Sequence, residues 1–550
     1  MRRALGVGTV ALAVAGLAVV AVPAQATVAG PVMSPALALP RFGGGEPSIA
    51  ADPTGNGTVI VTAPQGVPAV AGCQLLGAAT CNGVAAWRST NFGVSFDAGQ
   101  GVGSLTGGGD SDVAIAPDHT VYVADLEAVA AALCVSADGG RTYGTGAVVN
   151  TACNGLALNQ QGPENDREWL TVGRHGEVYL TYHDFTAGFP IILRSDDKAR
   201  TFLPCGTILN PSSAAGQNYN PAQGTLVAKP AVGKDGSLYV EVTEPDQTST
   251  TAVGAALDNL FMTVAKGGCS GGTVFSNYTI YRNTGASLGE IFNADAIDGA
   301  GTLYVVAAGR TTAGQTNHNI WLFVSHDGGQ TWTAPIRVNT PNLTANVLPA
   351  ITGGLGSNQV ALGWFGSSTS GDPNNTKDRW NYYVATSLDG GRTFQQSAVA
   401  LSGKWAGSYV HYGDICTQGL FCGLVPGQPG NRDLADFSSL TVNPRTGCLL
   451  LAFPADPYNN NPATKPPSTD NFSSTAYVSR QVGGSCLAPT PTTPGPQRPP
   501  AAKPPAGSAS GPTTAAVGSG LADTGSDPAI PVIGLALLVA VGVGSRALRP

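Results

Sequence analysis

Charge is scarce in this chain: Asp, Glu, Lys and Arg together make up 11% of its 550 residues, and the net charge is −7. No cluster of Lys or Arg appears, which excludes the basic footprint of a nucleic-acid binder. The six histidines are scattered, without the H-x-x-x-H spacing that places two ligands on one helix face. No two cysteines stand at C-x-x-C spacing, so a structural zinc site is disfavoured. No P-loop with its Lys occurs. What the chain has instead is 74 glycines and many β-branched residues, a composition that reads as all-β.

The ends read as export signals. Met1-Arg2-Arg3 is basic, Ala4 to Val22 is small and apolar, and Ala24-Gln25-Ala26 is a small-x-small cleavage pattern. These are the three parts of a secretory signal peptide over residues 1–26. Residues 27–40 read as a linker. Residues 487–520 are rich in Pro, Ala and Thr, cannot bury enough surface to offset their ordering entropy, and read as an extended spacer. Leu521-Ala522-Asp523-Thr524-Gly525, the apolar run 530–543 and the basic Arg546 and Arg549 follow. This resembles a sortase sorting signal of the Leu-Ala-x-Thr-Gly kind. The resemblance implies cleavage between Thr524 and Gly525, linkage to peptidoglycan, and transient membrane contact through 530–543. The run is shorter than the roughly 20 residues of a stable span; a membrane tether is the alternative. Ten cysteines in an exported chain imply disulfides. Pairing of neighbours gives Cys73–Cys81, Cys134–Cys153, Cys205–Cys269, Cys416–Cys422 and Cys448–Cys486.

An octet recurs along residues 41–486. Ser136 to Tyr143, Ser325 to Trp332 and Ser387 to Phe394 carry Ser, Asp, Gly, Thr and a closing aromatic in the same order. Ser195 to Phe202 has Ala199 in place of Gly, and Ser89 to Phe96 has Asn91 in place of Asp. These types suit a tight turn: Asp138, Asp197, Asp327 and Asp389 can accept backbone N–H bonds, and Gly supplies positive φ. Each octet ends a longer unit made of an apolar strand, a Gly/Asp/Asn turn and a second apolar strand. Seven such units predict a β-propeller of seven four-stranded blades, with six as the alternative. In the fourth unit the octet is degraded and carries Cys269.

The octets match the Asp box, and the chain is identified by them with the sialidase superfamily. That resemblance implies a propeller with its site on the face opposite the boxes, three arginines that grip a substrate carboxylate, a Tyr–Glu nucleophile pair and an acidic acid/base. It fails at the opening arginine, where this chain reads Gly45-Glu46-Pro47. The residues leading the inner strands are instead Glu46, Asp112, Glu168, Lys229, Ala294, Leu348 and Asp436. Asn165 to Trp169 and Asn431 to Asp436 have similar composition and the same place in units three and seven. The candidate catalytic set is therefore Asp166, Arg167, Glu168, Asp184, Arg432 and Asp436. Clustered carboxylates can form a glycosidase pair, hold Ca²⁺ at Glu46, Asp112 and Asp436, or form an acidic face with Arg167 and Arg432 as salt bridges. The expected role is a glycan- or partner-binding propeller; an exo-sialidase or other glycoside hydrolase acting on extracellular glycans is the alternative.

Overall fold

The computed structural model describes residues 30–489 apart from the stretches 41–43, 65–83, 103–109, 128–129, 144–164, 185–188, 220–225, 246–256, 283–287, 289–291, 418–430 and 459–473. The signal peptide, the spacer from residue 490 on and the sorting signal, with Thr524, Gly525 and 530–543, lie outside the described residues. Among the described residues no helix is long and apolar enough to cross a membrane.

Seven antiparallel sheets follow one another along the chain, as the seven repeat units predict. Their inner strands include Ser48–Ala51, Ser111–Ile115, Asn165–Val172, Ala231–Val232, Ala294–Ile297, Ala345–Gly353 and Ser439–Val442. Each inner strand packs against the next, and the seventh packs against the first, which closes a ring. The second strands Val59–Pro64, Leu303–Gly309 and Leu449–Ala455 are buried at every position. A blade is covered by a neighbour on both faces, so continuous apolar runs replace simple alternation. The core lies between blades. Tyr382 of the sixth stacks on Phe453 of the seventh with ring centroids 4.4 Å apart.

The ring is closed by a strand that the sequence reading assigned to a linker. Val32–Met33 and Leu37–Ala38 both pair with Thr475–Gly483 and complete the seventh blade. Ala36 also bonds across to Ala400 and Ser402 of the sixth blade region. Residues 32–38 are thus part of the propeller.

The Asp boxes adopt the expected turn. Asp327 Oδ1 accepts from Ser325 Oγ at 2.8 Å, Gln330 N at 3.0 Å and Thr331 N at 2.9 Å, while Oδ2 accepts from Thr331 Oγ1 at 2.6 Å. Asp138, Asp197 and Asp389 repeat the pattern. Desolvation works against these carboxylates, but the Thr331 hydroxyl and backbone bonds outweigh it and hold Asp327 down at about 2. The closing aromatics Phe202, Trp332 and Phe394 pack into inter-blade clusters. In the fourth blade, which lacks a box, Cys269 stands at the corresponding turn and bonds to Cys205 of the third blade. Cys448–Cys486 is also formed. Cys134 and Cys416 are disulfide-bonded; Cys73, Cys81, Cys153 and Cys422 lie outside the described residues.

Strand register corrects the list of residues leading the inner strands. Ser48, Asp112, Trp169, Ala294, Ala350 and Ser439 each pair with the fourth residue of their blade's second strand. Two residues ahead stand Glu46, Asp110, Arg167, Phe292 and Leu348. Of these Glu46, Arg167, Phe292 and Leu348 are left-handed, with φ of 48°, 65°, 51° and 53°. This irregularity, repeated in four blades, breaks the period-two pattern. Counting back from the apolar strand therefore mixes two layers that the fold keeps apart.

Candidate functional site

The upper layer gathers Glu46, Asp110 and Arg167 from the first three blades with Arg432 and Asp436 from the approach to the seventh. Arg167 Nη2 lies 2.8 Å from Asp436 Oδ2, and Arg167 Nε lies 3.8 Å from Asp110 Oδ2. Arg432 grips the same Asp436 with both terminal nitrogens, one of them at 2.9 Å. The guanidinium of Arg167 also stands 3.8 Å over the Phe292 ring. Arg167 and Arg432 are 8% and 3% exposed. Burial would raise Asp436, but Arg432 and Arg167 outweigh it and keep its carboxyl below the usual range. Burial, followed by the Asp110 and Asp436 carboxylates, pushes Glu46 well above its usual value. The charged form of Glu46 is thus disfavoured in this cluster. Two carboxylates then face two guanidiniums, and the cluster closes on itself. Beside it, burial and Arg167 push His183 down to about 4, so this ring is neutral at pH 7.

A second layer lies along the axis. Asp112 of the second blade accepts from Lys229 Nζ of the fourth at 2.8 Å, from Leu170 N of the third at 2.7 Å, and from Ser48 Oγ of the first at 2.5 Å. One carboxylate thus ties four blades. These residues line an axial cavity of about 380 Å³ to which all seven inner strands contribute.

The candidate set divides accordingly. Arg167, Arg432 and Asp436 meet in one cluster. Glu168 and Asp184 are buried. Asp166 pairs through its backbone with His183, and its side chain lies outside the described residues. Of the residues read as calcium ligands, Asp112 is engaged with Lys229 and Asp436 with two arginines, while Glu46 is fully buried beside them. Three further acidic groups stand outside this cluster; the ends of the second strands already pointed to Glu244 and Asp456, whereas Glu241 gave no sequence signal. Glu241, pushed up to about 8 by burial against bonds from Thr243 and Asn293, lies near Asp295 between the fourth and fifth blades. Glu244, pushed up to about 7 by burial, accepts from Asn218 Nδ2 at 2.9 Å. Asp456 bonds His411 Nδ1 at 2.7 Å, while His411 Nε2 bonds the Asp414 carbonyl at 3.0 Å. His411, Asp433 and Asp456 bring ligand-type atoms within 4.8 Å of one another. Both ring nitrogens of His411 are engaged, so the ring offers no lone pair to a cation in this arrangement.

The fully buried His411–Asp456 pair makes stability depend on pH. Burial pushes Asp456 up to about 8 against the pull of His411. The folded state therefore holds a proton that the unfolded chain releases near pH 4, and stability falls as pH rises through that window to about 8. Against its burial, Asp456 and the Asp414 carbonyl favour a proton on His411, so the pair holds one shared proton that is counted once. Thermal melts at pH 5.5 and 8.5 should show the lower Tm at 8.5, with a smaller difference in Asp456→Asn. Equal melting temperatures in the wild type would refute this assignment of the proton.

No protein-family model matches this chain, and no curated protein matches it. Among solved structures, a protein of unknown function from Dyadobacter fermentans aligns at 11% identity over 82% of this chain and 99% of its own, with a TM-score of 0.42. A polysaccharide lyase, an ulvan lyase bound to a saccharide of glucuronate and sulfated rhamnose, aligns at 9% identity over 82% and 97%, with a TM-score of 0.46. A Hadza microbial sialidase aligns at 13% identity over 81% and 68%, with a TM-score of 0.38. None of these values assigns an activity to this chain.

Proposed function

We propose that this is an exported, wall-anchored propeller that binds an extracellular glycan or glycoprotein at its axial face and does not perform sialidase chemistry. The observation that supports the reading is the closed charge cluster. Arg167 and Arg432 are both committed to Asp436 and buried, so neither offers its fork to a substrate carboxylate. The opening position, where the sialidase pattern has arginine, holds the fully buried Glu46 instead. Export rests on the signal pattern at residues 1–26, and anchoring to peptidoglycan on Thr524 and Gly525. The test is incubation of the full mature chain with a fluorogenic sialoside and a panel of other glycosides, alongside a glycan array. The expected result is retention on glycans without turnover. Sialoside turnover by the wild type above the blank would overturn the reading and establish the hydrolase alternative. Mass spectrometry of wall digests tests the anchor: peptidoglycan fragments on Thr524 are expected, and an intact chain that still carries Gly525 to Pro550 would refute it.

A further inference from the structure

Among the described residues, one stretch beside the sixth blade lies outside the four-stranded pattern. Between the fourth strand of the sixth blade, Gln395–Val399, and the approach to the seventh, residues 402–414 form a short 3-10 turn, Gly403–Trp405, and an extra strand, His411–Gly413. That strand pairs with the start of Asp378–Ser387, with Tyr412 opposite Arg379. The start of a third strand lies at the same end of the blade as the axial cluster, and Asp456 N bonds Val410 O at 3.0 Å.

The inward residues Val410 and His411 are fully buried, whereas Trp405, Tyr409 and Tyr412 are only half-buried. Tyr458, also half-buried, comes 6.0 Å from Trp405 between ring centroids. Tyr409 and Tyr412 meet edge to face at 5.8 Å. In a chain with 7% aromatic residues, three rings on this short stretch, joined by Tyr458 from the seventh blade, are left partly open to solvent. Two exposed cations stand over them: Lys404 Nζ at 5.1 Å from the Trp405 ring and Arg379 at 4.9 Å from the Tyr409 ring. Broad apolar ring faces with polar tips suit the C–H face and hydroxyls of a sugar ring. A guanidinium and an ammonium beside them suit carboxylate or sulfate groups along a chain.

We propose that this surface is a subsite for an acidic polysaccharide, in which Trp405 and Tyr409 stack on sugar rings and Arg379 and Lys404 meet their anionic groups. The subsite rests on the glycan-binding reading above and supplies its ligand class. The net charge of −7 opposes general adsorption of a polyanion, so binding must be local. The test is affinity electrophoresis of the full mature chain through gels containing polygalacturonate or, separately, neutral dextran, at physiological ionic strength. Polygalacturonate is expected to retard the wild type, and dextran to do so at least tenfold more weakly. Trp405→Ala and the doubly substituted Arg379→Ser, Lys404→Ser should each weaken polygalacturonate binding tenfold or more. The double variant changes only exposed side chains, so it keeps the test open should Trp405→Ala melt early. Wild-type retardation in the double variant, or equal retardation by dextran, would overturn the subsite while leaving the broader glycan reading intact. Absence of retardation by either polysaccharide, together with an empty glycan array, would overturn both.

Discussion

Asp436→Ala is expected to destabilise the protein by about 3–5 kcal/mol, the range for breaking a buried ion pair by removing one partner. The cost is large because one carboxylate serves two guanidiniums. Arg167 and Arg432 would be left buried beside Glu46, whose charged form burial disfavours, with Asp110 at 3.8 Å from Arg167 Nε. Loss of the Glu46 proton would recover part of the deficit, since an ionised Glu46 can face Arg167. The urea midpoint should therefore drop sharply in Asp436→Ala and fall further in the double variant with Glu46→Gln. Urea curves that overlay the wild type would show that the cluster carries no structural weight, and would return Asp436 to the catalytic candidates.

Deletion of residues 30–40 should have an effect of similar size, on the order of 5 kcal/mol, summed from lost apolar burial and lost ladder bonds. Leu39 is 3% exposed and Ala36 fully buried. Ser34 N and Leu39 N donate to Arg480 O and Ala476 O at 2.8 and 2.9 Å. Without them the strand Thr475–Gly483 becomes an open edge, and open edges pair with other chains. Light scattering should show dimers or larger species, and the melting transition should move down by many degrees. A monomeric protein with an unchanged transition would mean that the ring closes by the first and seventh blades alone.

The repeat was legible because its signals are local. The octets fix the turn through hydrogen bonds within eight residues, and the Gly/Asp/Asn turns mark each strand pair. The closing strand was not, because Val32 and Leu37 meet partners that no neighbouring residue announces. Asn165 to Trp169 and Asn431 to Asp436, alike in composition, come together in the fold where Arg167 meets Asp436. Their likeness could not say that Arg167 and Arg432 would share Asp436, since charge compensation depends on distances across the axis. The left-handed residues at Glu46, Arg167, Phe292 and Leu348 shifted the register of the candidate ring for the same reason. The aromatic stretch 402–414 went unremarked because it follows neither a strand nor a helix period.

The closing strand also bears on how the molecule is made. The Ser34 and Ser479 hydroxyls that meet at the seam are separated by 445 positions in sequence. A chain built from its N-terminus offers residues 32–38 first and their partner last. Through nearly all of synthesis the first segment has nowhere to dock, and the growing stack of blades has two unsealed ends. Closure entropy grows only slowly with loop length, by about 0.6 kcal/mol per doubling, so the obstacle is one of timing more than of energy. Blades two to five can assemble in sequence order, each on its predecessor. The seam is then the last contact to form, reached only by a chain whose final blade has arrived.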